Sequence, residues 1–152
     1  MQAVKDEWPE KNSEEYQKAV FSFVEVLKLR GEMAMATVTS GKADGNPLPE
    51  ADADKLRQSA NADYGRAEAE LDKIMSGIGE VAPEDNKDKW RLRNRAWYTL
   101  LQLKYNKAMT AKKGSTQAMY TLTEMKNALE DFILSNDLED YEAQLGCLYR
   151  CV

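Results

Sequence analysis

Cys147 and Cys151 are the only two cysteines of the chain, and there is no histidine. Without an imidazole there is no histidine acid–base catalyst and no Ser-His-Asp or Cys-His nucleophile pair. Cys/His zinc sites and Glu-x-x-His di-iron sites are excluded on the same ground. Carboxylate-held Mg²⁺ remains open to the chain's acids. Their arrangement does not favour it. Glu7 and Glu10 are separated by Pro9, Glu68 and Asp72 share an outer helix face, and so do Glu25 and Glu32. We therefore expect no catalytic residue, no metal site and no cofactor, and the reading leans away from an enzyme.

The two cysteines sit four apart in a C-terminal stretch with helical periodicity. On a helical wheel they fall opposite Leu145, Leu148 and Tyr149. That spacing is awkward for a mutual disulfide, because the side-chain geometry must strain or the helix end must fray. A terminal clip in an exported protein, a contact with a partner, and a packing site all stay open.

Charge is the second source of chemistry. The net charge is −5, which works against bulk attraction to nucleic acid. Residues 86–113 nevertheless carry nine cations, Lys87, Lys89, Arg91, Arg93, Arg95, Lys104, Lys107, Lys112 and Lys113, against a single acid, Asp88. At about 100° per residue these cations form no single stripe. Arg91, Arg95 and Lys113 project to one side, Lys89 and Lys107 to the other, and Arg93 and Lys104 fall within the apolar sector. Phosphate binding needs a contiguous track. The preferred reading is a cationic helix packed between anionic neighbours, with nucleic acid disfavoured as a partner.

Some charges are expected to face inward. Arg30 projects into the middle of an apolar face, Arg93 and Lys104 flank Trp97, and Asp63 and Glu70 border a third apolar stripe. Asn94 shares the Trp90/Trp97 side. Such groups either line a pocket for a small anion or form ion pairs between helices, such as arginine with Asp63 or Glu70. The ion pairs are favoured, since buried charge is costly unless paired and long stems reach the rim. The candidate binding residues are Trp8, Arg30, Asp63, Arg91, Arg93, Arg95, Lys104, Cys147 and Cys151.

The elements that must hold these residues are helices. The chain has 152 residues, 43% hydrophobic and 31% charged, which suits one folded domain rather than a disordered chain. No segment alternates apolar and polar residues, so no sheet is expected. Residues 1–11 read as a flexible N-terminal arm and 12–152 as a single helical-bundle domain. Helix 1 is expected from Ser13 to Thr39, capped by Asn12 with Glu15 three residues on. It should bury Tyr16, Val20, Phe23, Leu27, Ala34 and Val38. Helix 2 should span Glu50–Ser76 with Leu56, Ala60, Tyr64, Ala67, Leu71 and Ile74 inward, after a turn-rich loop at 42–49. Helix 3 should run from Pro83 to Lys113 and be the most buried, through Trp90, Trp97, Leu100, Leu101 and Tyr105. Helix 4, Gln117–Ser135, should bury Leu122, Met125, Leu129, Phe132 and Ile133. A short helix 5 is expected over Leu138–Arg150. The fold class is all-α, an up-and-down antiparallel bundle of four long helices plus that short C-terminal helix.

No run of about 18 apolar residues crosses a membrane. Met1–Asp6 lacks the features of a signal peptide, which points to a soluble cytoplasmic protein. The alternative is an exported or periplasmic mature domain with its leader removed. The leading functional reading is a non-enzymatic protein-interaction module of inhibitor, immunity or adaptor type, its partner another protein. One alternative is an anion or nucleic-acid binder using the basic helix 87–113. Another is a Mg²⁺-dependent carboxylate enzyme acting on nucleotides.

Overall fold

The computed structural model describes residues 13–80, 84–111 and 114–135. Helix α1 (Glu14–Ser40) begins at Ser13, whose hydroxyl accepts a hydrogen bond from the Tyr16 backbone N–H at 3.2 Å. Ser13 thus takes the capping role expected of Asn12, which lies outside the described residues. The helix ends at Gly41, whose φ of 66° is left-handed and whose N–H reaches the Val38 carbonyl. A residue without a Cβ adopts that conformation at little cost.

The expectation of no sheet is corrected at the next turn. Strands β1 (Lys42–Ala43) and β2 (Asn46–Pro47) pair antiparallel, Lys42 opposite Pro47 and Ala43 opposite Asn46. Asp44 and Gly45 between them have φ of 48° and 80°. Two left-handed residues in a row suit the two-residue turn that matches strand twist. Strands of two residues are too short to show alternation, which is why the pattern hid them.

Helix α2 (Glu50–Ile78) follows Pro49, with Glu50 and Asp52 near the positive end of its dipole. It runs through Gly77 and stops at Gly79, φ 70°, two residues later than expected. Helix α3 (Lys87–Thr110) starts later than expected, because Asn86 rather than a residue before Pro83 provides the cap. The Asn86 Oδ1 accepts the Lys89 backbone N–H at 3.0 Å. Helix α4 (Thr116–Ser135) is capped by Ser115, whose hydroxyl accepts the Ala118 N–H at 3.2 Å. The N-terminal arm and the expected fifth helix lie outside the described residues.

Side-chain pairs fix the directions. Arg66 lies over Phe23 and Arg30 meets Asp63, so α2 runs antiparallel to α1. Arg95 lies over Phe21 and Asn106 meets Glu32, so α3 runs parallel to α1. Trp97 stacks edge-on against Phe132 at 5.0 Å, and Lys107 and Thr110 line one hollow with Gln117 and Thr121, so α4 runs antiparallel to α3. The order is up, down, up, down. Packing runs mainly between chain neighbours, and α1 touches α3 only lightly.

Among the described residues, the buried apolar side chains form two clusters. The larger joins Val20, Phe21, Val24 and Leu27 to Tyr64, Ala67 and Leu71 and to Ala96, Leu100 and Leu103. The smaller joins Leu101 to Met125, Leu129 and Phe132, with Trp97, Tyr98 and Tyr105 at its edge. Helix α3 contributes to both. Trp90 and Trp97 are half-buried rather than central. The phase of α1 also needs correction: Phe23 is 42% exposed, while Phe21 and Val24 are buried. Leu56 and Leu122 are half-buried; the side chain of Ile133 lies outside the description.

Candidate interaction surfaces

Arg30 does not sit in the middle of a buried face. Its side chain is 59% exposed at the edge of α1, and its Nε lies 3.3 Å from Oδ2 of Asp63, whose side chain is 8% exposed. The pair spans α1 and α2 with its carboxylate inside and its guanidinium at the rim. Glu70 instead bonds Lys73 within α2 at 2.7 Å. A second pair between helices joins Lys107 of α3 to Glu68 of α2 at 2.7 Å. Beside the first pair, burial of Tyr64 pushes its hydroxyl pKa up to about 12, helped by the negative charges of Glu32 and Asp63.

The basic block behaves differently from the expected complement to anionic helices. Among its described members, Lys107 alone has an acid within ion-pair distance. The Arg93 guanidinium lies 5.2 Å from the Trp97 ring, and that of Arg95 lies 4.5 Å from the Phe21 ring. Both use the negative face of an aromatic ring in place of a carboxylate. Arg91 and Arg95 are exposed; Arg93 and Lys104 are half-buried. Asn94, between them, is fully buried, and neither of its amide atoms has a hydrogen-bond partner among the described residues.

Helix α1 presents a second apolar face, which the sequence reading missed. Val20, Val24, Leu27 and Gly31 point into the core. Roughly opposite them, Val26 is 54% exposed, Leu29 53% and Met33 71%, with Phe23 at the edge. Ala19, Ser22, Ala36 and Ser40 extend this strip, so no charge interrupts it. Charges line its borders. Arg30 and, from α2, Arg66 flank one side; Glu25 and Glu32 flank the other. The available signal was a helix with apolar residues on two opposed faces, where an ordinary surface helix has one. An open groove of about 500 Å³ lies between the helices near Met35, Tyr64, Asn106 and Met109.

The structure brings Arg30 and Asp63 together. Arg91, Arg93, Arg95 and Lys104 are carried by α3, and no ion pair or hydrogen bond links them to that pair. Trp8, Cys147 and Cys151 lie outside the described residues. Among the described residues, no three acids or cysteines gather closely enough to hold a metal ion. Nor is any described helix long and apolar enough to cross a membrane. Compared with protein-family models, curated proteins and solved structures, the chain matches none.

Proposed function

We propose that this chain is a non-enzymatic protein-interaction module, of inhibitor, immunity or adaptor type, whose contact surface is the outer face of α1. The supporting observation is the uncharged strip through Val26, Leu29 and Met33, exposed along a helix that already buries its opposite face. Apolar residues exposed singly are ordinary; a continuous strip with a charged border is what a protein contact uses. The test is affinity capture with the wild-type chain and with Val26→Glu/Met33→Glu as bait. Both positions are exposed, so the variant keeps its helical circular dichroism. A protein retained by the wild type and lost by the variant supports the reading. Equal capture by both removes α1 as the contact surface.

The exposed, acid-free Arg91 and Arg95 favour a second reading, an anion or nucleic-acid binder working through α3. A contiguous phosphate track is still missing, since Arg93 and Arg95 are occupied by aromatic rings on different helices. We expect labelled oligonucleotides to show no appreciable binding at physiological salt. Micromolar binding that falls steeply with salt and disappears in Arg91→Ala/Arg95→Ala would promote this reading.

A further inference from the structure

We infer that the outer face of α1 is covered by the same face of a second copy of this chain, with the two helices parallel and in register. This rests on the reading of that face as a protein contact and names the partner. Seven-residue spacing carries the argument. Ala19, Val26, Met33 and Ser40 form one row, and Ser22, Leu29 and Ala36 form the row three residues on. Together they make the alternating three-and-four pattern of a two-stranded coiled-coil seam. The seam covers about 32 Å of helix at 1.5 Å per residue. Its centre holds a β-branched residue in the first row, Val26, and leucine in the second, Leu29, which favours two strands. The small residues toward both ends let the helices approach. The core-facing side of α1 lies opposite, so the rest of each copy points away from the contact.

The flanking charges choose the direction. In a parallel pair, the residue before each first-row position faces the residue five further along the other helix. Glu25 therefore faces Arg30 of the second copy, twice by symmetry. In an antiparallel pair, first-row residues pack against second-row ones; with Val26 against Leu29, Glu25 faces Glu32, twice by symmetry, and Arg30 faces Phe23, so the carboxylates repel and the cation is left without an acid across the seam. Existing partners do not prevent the parallel match. Arg30 uses its Nε toward Asp63 and is 59% exposed, and Glu25 bonds Lys28 at 2.9 Å while 46% exposed. A guanidinium has five donors in a planar fork and can serve two carboxylates.

Cross-linking tests the register on the full chain with Cys147→Ser and Cys151→Ser. Ser22→Cys and Ala36→Cys are made one at a time in that background and oxidised mildly. A parallel pair brings each new cysteine against its own copy, so both variants give disulfide-linked dimers. An antiparallel pair brings Ser22 against Met33 and Ala36 against Ala19, so neither single variant cross-links and the inference fails. Sedimentation equilibrium gives an independent readout. The parent should dimerise, and Glu25→Arg should weaken dimerisation about tenfold by setting like charges opposite each other twice. Strengthening by Glu25→Arg would indicate the antiparallel pair and overturn the proposal. A parent that stays monomeric up to about 0.5 mM, far above the range of a stable contact, also overturns it. If that monomer still captures a protein that Val26→Glu/Met33→Glu does not, the interaction reading survives with a different partner. If the two baits behave alike, both fall.

Discussion

Gly31 and Tyr64 fit one another because one has no side chain. A Cβ on Gly31 would lie 2.5 Å from two carbons of the Tyr64 ring, which is itself fully buried. Gly31→Ala should cost about 1–3 kcal/mol, the range for overpacking a filled interior. Gly65, one residue past Tyr64 in α2, meets nothing within 4 Å. Gly65→Ala should therefore stabilise by about 0.5–1 kcal/mol through helix propensity alone. Thermal unfolding of the two variants checks the opposite signs. The same tyrosine gives a pH signature. Its hydroxyl sits at about 12 in the folded chain against an ordinary 10.0. A pKa raised on folding gives a contribution that is whole below the unfolded value and lost as pH climbs through the folded one. Stability should thus fall between about pH 10 and 12, by on the order of 2 kcal/mol from this group. Denaturant titrations of wild type and Tyr64→Phe across that window isolate the effect, and the variant should show the shallower decline.

At the scale of elements, the stop at Gly41 and the start of α4 were legible, while the caps of α1 and α3, the end of α2 and the helix phase were less so. Ser40-Gly41 and the Asp44-Gly45 turn announced the first break, and the alanine-rich stripe of α2 buries Ala60, Tyr64, Ala67, Leu71 and Ile74 as its period indicates. Helix α1 could not be phased from its own residues, because Phe23 and Phe21 head two competing stripes. Only the position of α2 and α3 decides between them. Arg30 then moves to an edge, and the ion pair it makes with Asp63 is a rim pair. The basic block could not be read correctly from charge alone: Arg93 beside Trp97, one helical turn on, was legible, whereas Arg95 settles on Phe21, far away in sequence. Trp97 itself looked central and is half-buried. Trp97→Ala should cost about 2 kcal/mol, whereas Phe132→Ala, at the fully buried partner, should cost roughly 3–5 kcal/mol. Urea unfolding of both variants measures the order. The reverse order would place the tryptophan at the true centre of the smaller cluster.

At the scale of the molecule, the buried apolar side chains among the described residues divide into two clusters, one on each side of α3, and that division was not visible in any single helix. Leu100 and Leu103 serve the side shared with α1 and α2, and Leu101 serves the side of α4. The consequence concerns the order in which the protein opens. Among the described residues, helix α4 packs through the smaller cluster, Leu101 with Met125, Leu129 and Phe132 and with Trp97, Tyr98 and Tyr105 at its edge, and can detach by giving up these contacts while the three remaining helices keep theirs. Cooperative units of this kind open at free energies below that of global unfolding. Native-state hydrogen exchange should therefore find two tiers of protection. Amides in the middle of α4 should exchange through a sub-global opening, and those around Val24, Ala67 and Leu103 only when the whole chain unfolds. A mild denaturant series would show the α4 amides with the smaller slope. Identical slopes and free energies for α4 and α2 would mean that the two clusters melt as one.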